Sequence, residues 1–238
     1  PEFTAGEIET TGETICYNVN PSEIGSTTAA SGGDGNITYQ WQSSADAAFT
    51  SPTTISTNAA TYDPSNLTTT TWFRRQAKDA TCNATFASST GIWKVTVDGE
   101  FTAGEIETTG ETICYNGNPG EIGSTTAASG GDENITYQWQ SSTDDAFTSP
   151  TSISTDAATY TPSSLTATTW FRRQAKDATC NTTFTSSTGV WNVTVSDEFT
   201  VGSISDDQMI CDAGIPEELI GVAPIGGNTP YQYQWQIS

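Results

Sequence analysis

Apolar residues along this chain come in short runs that alternate with polar ones, and no stretch sustains the 3.6-residue period of an amphipathic helix. Ile37 to Ser43 (ITYQWQS) alternates cleanly, which places Ile37, Tyr39 and Trp41 on one face and Thr38, Gln40 and Gln42 on the other. Gly91 to Val97 has the same pattern, with Trp93, Val95 and Val97 sharing a face. Thr70 to Ala77 and the shorter Thr14 to Tyr17 are rich in β-forming residues and predict two more strands. Turn-forming clusters, Ser31 to Asn36 (SGGDGN) and Asp63 to Asn66 (DPSN), separate them. The spacing predicts an all-β fold with about seven strands per hundred residues, an Ig-like sandwich.

The pattern also repeats. Residues 3–98 align with 101–196 without a gap and with 15 differences, a period of 98. A third copy opens at Phe199 and keeps Cys211, Tyr233 and Trp235. The expected domains are therefore 1–98, 99–196 and a truncated piece of a third repeat, 197–238, in a chain read as a segment of something longer. Solenoid units run about 20 to 50 residues, so this period fits self-contained tandem domains better.

Cysteines add a constraint. Each full repeat has two, and Cys16 with Cys82 and Cys114 with Cys180 are both 66 apart. Even pairing with no His and no CxxC spacing points to disulfides rather than zinc. One intradomain bond per repeat is expected, with the partner of Cys211 outside the chain. Closing such a loop is worth about 4 kcal/mol in the chain-entropy model, and such bonds persist outside the cytosol. The expected location is extracellular, at a cell surface.

Charge narrows function. Seven Lys and Arg against 28 Asp and Glu give a net charge of −21. Such a surface repels phosphate, so nucleic acid is excluded as a partner and insertion into a membrane is not expected of this segment. Catalysis is not expected either: there is no His, no nucleophile elbow and no phosphate-binding Gly loop, so no catalytic or cofactor residue is assigned. Acidic junctions, Asp98-Gly99-Glu100 and Asp197-Glu198, offer hard oxygen ligands for Ca²⁺, although a plain solvated junction is favoured and no loop has EF-hand spacing. Trp41, Trp72 and Trp93, with Trp139, Trp170 and Trp191, are read as core or core-lining residues in preference to a carbohydrate platform. Arg74 and Arg75, with Arg172 in the second repeat, directly follow a Trp-Phe pair, which suggests a guanidinium stacked on Trp or paired with a nearby carboxylate in preference to a ligand contact.

Thr71 to Cys82 (TWFRRQAKDATC), ahead of Ser88 to Val97 (SSTGIWKVTV), together with Thr38 to Ser44 (TYQWQSS), resembles the Ig-like or PKD-like repeats of giant surface adhesins in Bacteroidota. The resemblance spans the chain. It implies export by the type IX route and a part in surface adhesion, gliding or a filamentous appendage that catches other cells. True immunoglobulin domains place the second Cys inside a late strand, whereas Cys82 follows Trp72 by ten residues, in what reads as the last hairpin.

Two functions compete. In one, the repeats form a structural shaft that holds an adhesive tip away from the cell. In the other, the repeats themselves bind glycans or partner cells. Differences between copies, such as Gly35 against Glu133, Ala47 against Asp145, Asn58 against Asp156 and Asp63 against Thr161, fall mostly in predicted turns and favour the shaft. The three-residue junctions predict that neighbouring repeats of the same chain touch, and parallel copies are candidates to bundle into a homo-oligomeric fibre.

Overall fold

A computed structural model describes residues 1–205 and 207–236. Every regular element among them is a β-strand, as the alternation predicts. Among the described residues no helix is long and apolar enough to cross a membrane. The chain divides into two compact units: Pro1–Thr102 with Ala128–Ile135 and Lys176–Thr183, and Ala103–Ala127 with Thr136–Ala175 and Phe184–Ser238.

In the first unit the strands of the first repeat are β1 (Glu13–Ile15), β2 (Thr38–Ser44), β3 (Thr53–Ile55), β4 (Thr71–Lys78), β5 (Ala87–Ser88) and β6 (Trp93–Val97). They form one sheet in the order β1-β6-β4-β2-β3, with β5 paired to β4. The central pair, β2 with β4, is antiparallel from Thr38↔Lys78 to Ser44↔Trp72. β4 and β6 are antiparallel as well, whereas β1 runs parallel to β6. The facing layer is held by single antiparallel bridges, Thr4↔Ser31, Glu7↔Thr28, Val19↔Leu67 and Ile24↔Tyr62. Its segments carry Gly6, Pro21 and Gly25, which break up continuous ladders. Two layers around one core, with a buried Trp on a central strand, make an Ig-like sandwich.

Trp41 lies in that core without exposure, against Ile8, Ile24, Phe73, Trp93 and Val95. Tyr62 bridges two of its rings, 5.6 Å from Trp41 and 5.8 Å from Phe73. The Trp41 Nε1–H donates to the Ala59 carbonyl at 3.0 Å, so its polar edge is buried with a partner. Burying an indole removes about 150–250 Å² from water, an upper-bound contribution of roughly 4–6 kcal/mol at about 25 cal/mol per Å².

The second repeat reproduces this pattern. Its strands are β7 (Gly99–Thr102), β8 (Glu105–Ile106), β9 (Glu111–Ile113), β10 (Ser124–Thr126), β11 (Ser129–Gly131), β12 (Thr136–Ser142), β13 (Thr151–Ile153), β14 (Thr169–Lys176), β15 (Thr185–Ser186) and β16 (Trp191–Val195). The main sheet has the order β13-β12-β14-β16-β9, with β15 on β14. The facing layer reaches strand length here, as β7–β11 and β8–β10. The core again centres on an unexposed Trp139 with Ile122, Phe171, Trp191 and Val193. After Ser196 one short strand pair forms among the described residues, β17 (Ser203–Ile204) with β18 (Gly221–Val222), beside a single bridge Thr200↔Ile225, and Trp235 is 66% exposed.

Candidate functional site

β4 carries the most informative side chains. Its alternation turns Phe73, Arg75 and Ala77 inward and Trp72, Arg74 and Gln76 outward. The inward arginine is Arg75, and it is unexposed. Its Nε donates to Ser89 Oγ at 3.0 Å, and Nη1 donates to Ser26 Oγ at 2.6 Å and the Ala60 carbonyl at 2.9 Å. Nη2 donates to the carbonyls of Ala5, Glu7 and Thr28 at 3.1, 3.3 and 3.0 Å. The guanidinium also stands 5.0 Å from the Tyr39 ring centroid. One charge thus ties β4 to the broken layer opposite, which has few ladder bonds of its own. Burial pulls the guanidinium pKa below its usual value, and Tyr39 acts weakly the other way. Arg173 repeats the arrangement in the second unit, with carbonyl partners on Ala103, Glu105, Thr126 and Ala158.

The expected role for Arg74 and Arg172 changes accordingly. Among the described residues neither stacks on Trp or pairs with a carboxylate. Arg74 covers the Phe49 ring at 4.3 Å and donates from Nε to Gln42 Oε1 at 2.7 Å. Arg172 does the same with Phe147 and Gln140. Among the tryptophans, Trp41, Trp93, Trp139 and Trp191 are buried, as a core reading requires. Trp72 and Trp170 lie half-buried on the outer face, and Lys94 sits 5.6 Å over the Trp72 ring.

Beyond β4 and β14 the chain turns through a hairpin built on one aspartate. Asp79 is unexposed, and its Oδ1 accepts from the backbone N–H groups of Thr81, Cys82 and Asn83 at 3.0, 2.6 and 3.0 Å. Gly33 packs on the same carboxylate at φ +60, where a Cβ would collide with it. The neighbouring Asp34 accepts from Thr81 Oγ1 at 2.6 Å, and that hydrogen bond, followed by one from the Asn36 amide, holds its carboxyl below the ordinary 3.8. Asp177, Gly131 and Asp132 rebuild this hairpin in the second repeat.

The cysteine pairing differs from the sequence expectation. The bond joins Cys16 to Cys180, with Cα atoms 5.4 Å apart, and Cys82, Cys114 and Cys211 are free thiols. Both bonded residues belong to the first unit, because Lys176–Thr183 packs there. Strand register explains why Cys16 does not pair with Cys82. Cys16 follows β1, whose Glu13 and Ile15 lie opposite Val95 and Val97 of β6. Val95 in turn lies opposite Thr71, the first residue of β4, while Cys82 follows Lys78, the last. At about 3.4 Å rise per residue the two ends of that eight-residue strand are roughly 24 Å apart. A disulfide requires Cα atoms within about 4.4–6.8 Å, so the within-repeat bond is impossible in the folded sandwich. The registers of β9, β16 and β14 exclude Cys114–Cys180 for the same reason.

Asp98 of the first junction lies beside this bond, with Oδ2 3.6 Å from Cys180 Sγ. Cys16, Asp98 and Cys180 are close enough to suggest a metal-binding group. Both sulfurs are spent in the disulfide, so the trio cannot act as one while it is oxidised.

Residues 4–98 and 102–197 each match a family described as a domain of unknown function, DUF8696. The chain belongs to that family. No curated protein matches it. Solved structures that it resembles include titin domains I67–I69 in an E-to-A variant, at 11% identity over 84% of this chain and 67% of that one, with a TM-score of 0.44. The chicken CNTN1 FN1–FN3 domains align at 11% identity over 85% and 71%, with a TM-score of 0.38. The two DUF8696 repeats carry the buried arginine, the covered outer arginine and the aspartate hairpin in duplicate, whereas Lys94 over Trp72 has Asn192 at its counterpart position, and the one bond among the described residues links a cysteine of each repeat. Sequence reasoning gave Arg75 the same stacked or carboxylate-paired role as Arg74 in place of its buried one on serine hydroxyls and main-chain carbonyls, and it passed over Arg173, Asp79 and Asp177. The signal for the arginines was present, since period-2 alternation from the buried Phe73 turns Arg75 inward.

Proposed function

We propose that these repeats form a tension-bearing shaft of a long exported protein, and that the chain's role is mechanical rather than catalytic. The observation that carries this reading is the Cys16–Cys180 bond. Force applied along the chain crosses the bond between Cys16 and Cys180, so β2 to β14, with Trp41 and Trp139, lie inside a covalent loop that the pull bypasses, while Ile8 of the first core and Trp191 and Val193 of the second lie outside it. An adhesive pocket has no need of that arrangement; a load-bearing segment does. The disulfide also favours an oxidising, extracellular location. A net charge of −21 keeps parallel copies soluble. Within this proposal the parent is a surface adhesin or filament of the Bacteroidota kind, exported by the type IX route, with its recognition tip elsewhere.

The full chain, labelled and titrated against glycan arrays and whole cells, tests this reading. The shaft gives no saturable binding. Saturable binding that competes with free glycan would make the repeats adhesive modules instead.

A further inference from the structure

The staple joins the first-position cysteine of one repeat to the second-position cysteine of the next. Cys16 corresponds to Cys114 and Cys82 to Cys180 under the 98-residue repeat, and Cys211 is the third copy's counterpart of Cys16 after a one-residue deletion. The free thiols are therefore not leftovers of a failed internal pairing. Each is the counterpart, in another copy of the repeat, of a bonded residue. Cys114 stands exposed just past β9, as Cys16 stands past β1. Cys82 stands exposed in the hairpin after β4, at the opposite end of its sheet.

The unbonded hairpin already has the bonded shape. Cys82 N–H reaches Asp79 Oδ1 at 2.6 Å, and Cys180 N–H reaches Asp177 Oδ1 at the same 2.6 Å. Asn83 and Asn181 each reach that oxygen at 3.0 Å. Thr81 binds Asp34 at 2.6 Å, and Thr179 binds Asp132 at 2.8 Å. On the other side of the bond, Asn18 and Asn116 donate to Leu67 and Leu165 at an identical 2.8 Å. Both halves of the joint are thus preformed whether or not a partner is present, which lowers the ordering cost of making it.

We propose that Cys16–Cys180 is one rung of a ladder, in which Cys114 takes the second-position cysteine of a following copy of the repeat and Cys82 the first-position cysteine of a preceding copy. Every repeat is then tied covalently to both neighbours in addition to the main chain. The chemistry is thiol–disulfide exchange: a small-molecule disulfide accepts the two electrons of each new bond and leaves as two thiols, one cysteine passing through a mixed disulfide before the second displaces it. The ladder deepens the shaft reading and rests on the same observed bond.

The test is a map of linked peptides from the full chain, oxidised at high concentration with an excess of oxidised glutathione. Three exposed thiols that meet at random give all six pairings. The ladder permits only first-with-second links between copies, Cys114–Cys82 and Cys211–Cys82, on top of an intact Cys16–Cys180. The expected result is a head-to-tail covalent series containing those links alone, and C82S abolishes the series while leaving Cys16–Cys180 in place. Links of Cys114 with Cys114 or Cys82 with Cys82, a Cys82–Cys114 bond inside one chain, or monomers that keep all three thiols would each overturn the ladder without touching the shaft. Cys16–Cys82 and Cys114–Cys180 bonds would overturn both, and saturable glycan binding with the permitted links intact would overturn the shaft alone.

Discussion

Replacing Arg75 with Met keeps most of the side-chain length, removes five N–H donors and tests whether a single buried guanidinium holds the two layers together. In many proteins an apolar residue substitutes for a buried ion pair at little cost, because both partners are replaced together. That route is closed here. Four of its six acceptors are main-chain carbonyls, of Ala5, Glu7, Thr28 and Ala60, which no substitution removes; the other two are the hydroxyls of Ser26 and Ser89. Some of them retain other partners: Thr28 O accepts from the Glu7 amide at 2.8 Å, and Ala5 O accepts from Ser89 Oγ at 2.7 Å. The loss is therefore less than six full bonds. One orphaned buried carbonyl costs about 1–3 kcal/mol, and weakened satisfaction of the others brings the total to roughly 3–5 kcal/mol. A domain of this size holds only about 5–15 kcal/mol in all. At about 4–8 °C per kcal/mol, the first repeat should melt at least ~12 °C lower. Differential scanning calorimetry of the full chain reads this, with R173M moving the second repeat instead. A change below about 1 kcal/mol in both variants would refute the reasoning.

Other outcomes follow from the same geometry. Asp34, Asp46, Asp132 and Asp144 all have carboxyls held below their ordinary 3.8, by hydrogen bonds led by Thr81, the Thr50 amide, the Asn134 amide and Thr148 respectively. A depressed folded value means stability that is present above pH 3.8 and lost as the pH falls through the folded values. Thermal midpoints should drop in that acid window, and D34N with D132N should flatten the drop; an unchanged profile in the double variant counts against it. Gly33→Ala forces a Cβ into the Asp79 carboxylate at positive φ and should cost more than about 1 kcal/mol by urea titration, while Gly35→Ala, with open space around it, should cost less. C16S opens a 164-residue loop, worth about 5 kcal/mol in the chain-entropy model. C82S should leave the melting of the monomer unchanged, and equal losses from the two variants would contradict the assigned pairing.

Much of the fold was legible from alternation alone. Ile37 to Ser43 and Gly91 to Val97 matched β2 and β6 because half-buried strands print their two faces directly in sequence. The short β3 and β5 left no such signature: their pairing depends on β2 and β4, not on their own composition. Arg75 was legible in principle, but an adjacent Arg-Arg pair hides which member turns inward until Phe73 fixes the phase. The disulfide was not legible. Equal spacing and even number support a within-repeat pair as well as a shifted one, and only the register of β1, β6 and β4 shows that the two ends are a strand apart. Asp79 was invisible for a related reason, since its three amide partners come from a turn that exists only once the hairpin closes.

Stretching the chain by its ends, oxidised and then with reductant, measures the pairing most directly. The Cys16–Cys180 loop hides 164 residues, so at about 3.6 Å per residue reduction should release roughly 590 Å of extra contour length. Two within-repeat loops of 66 residues would release only about 475 Å, and that value, or no gain at all, would contradict the account.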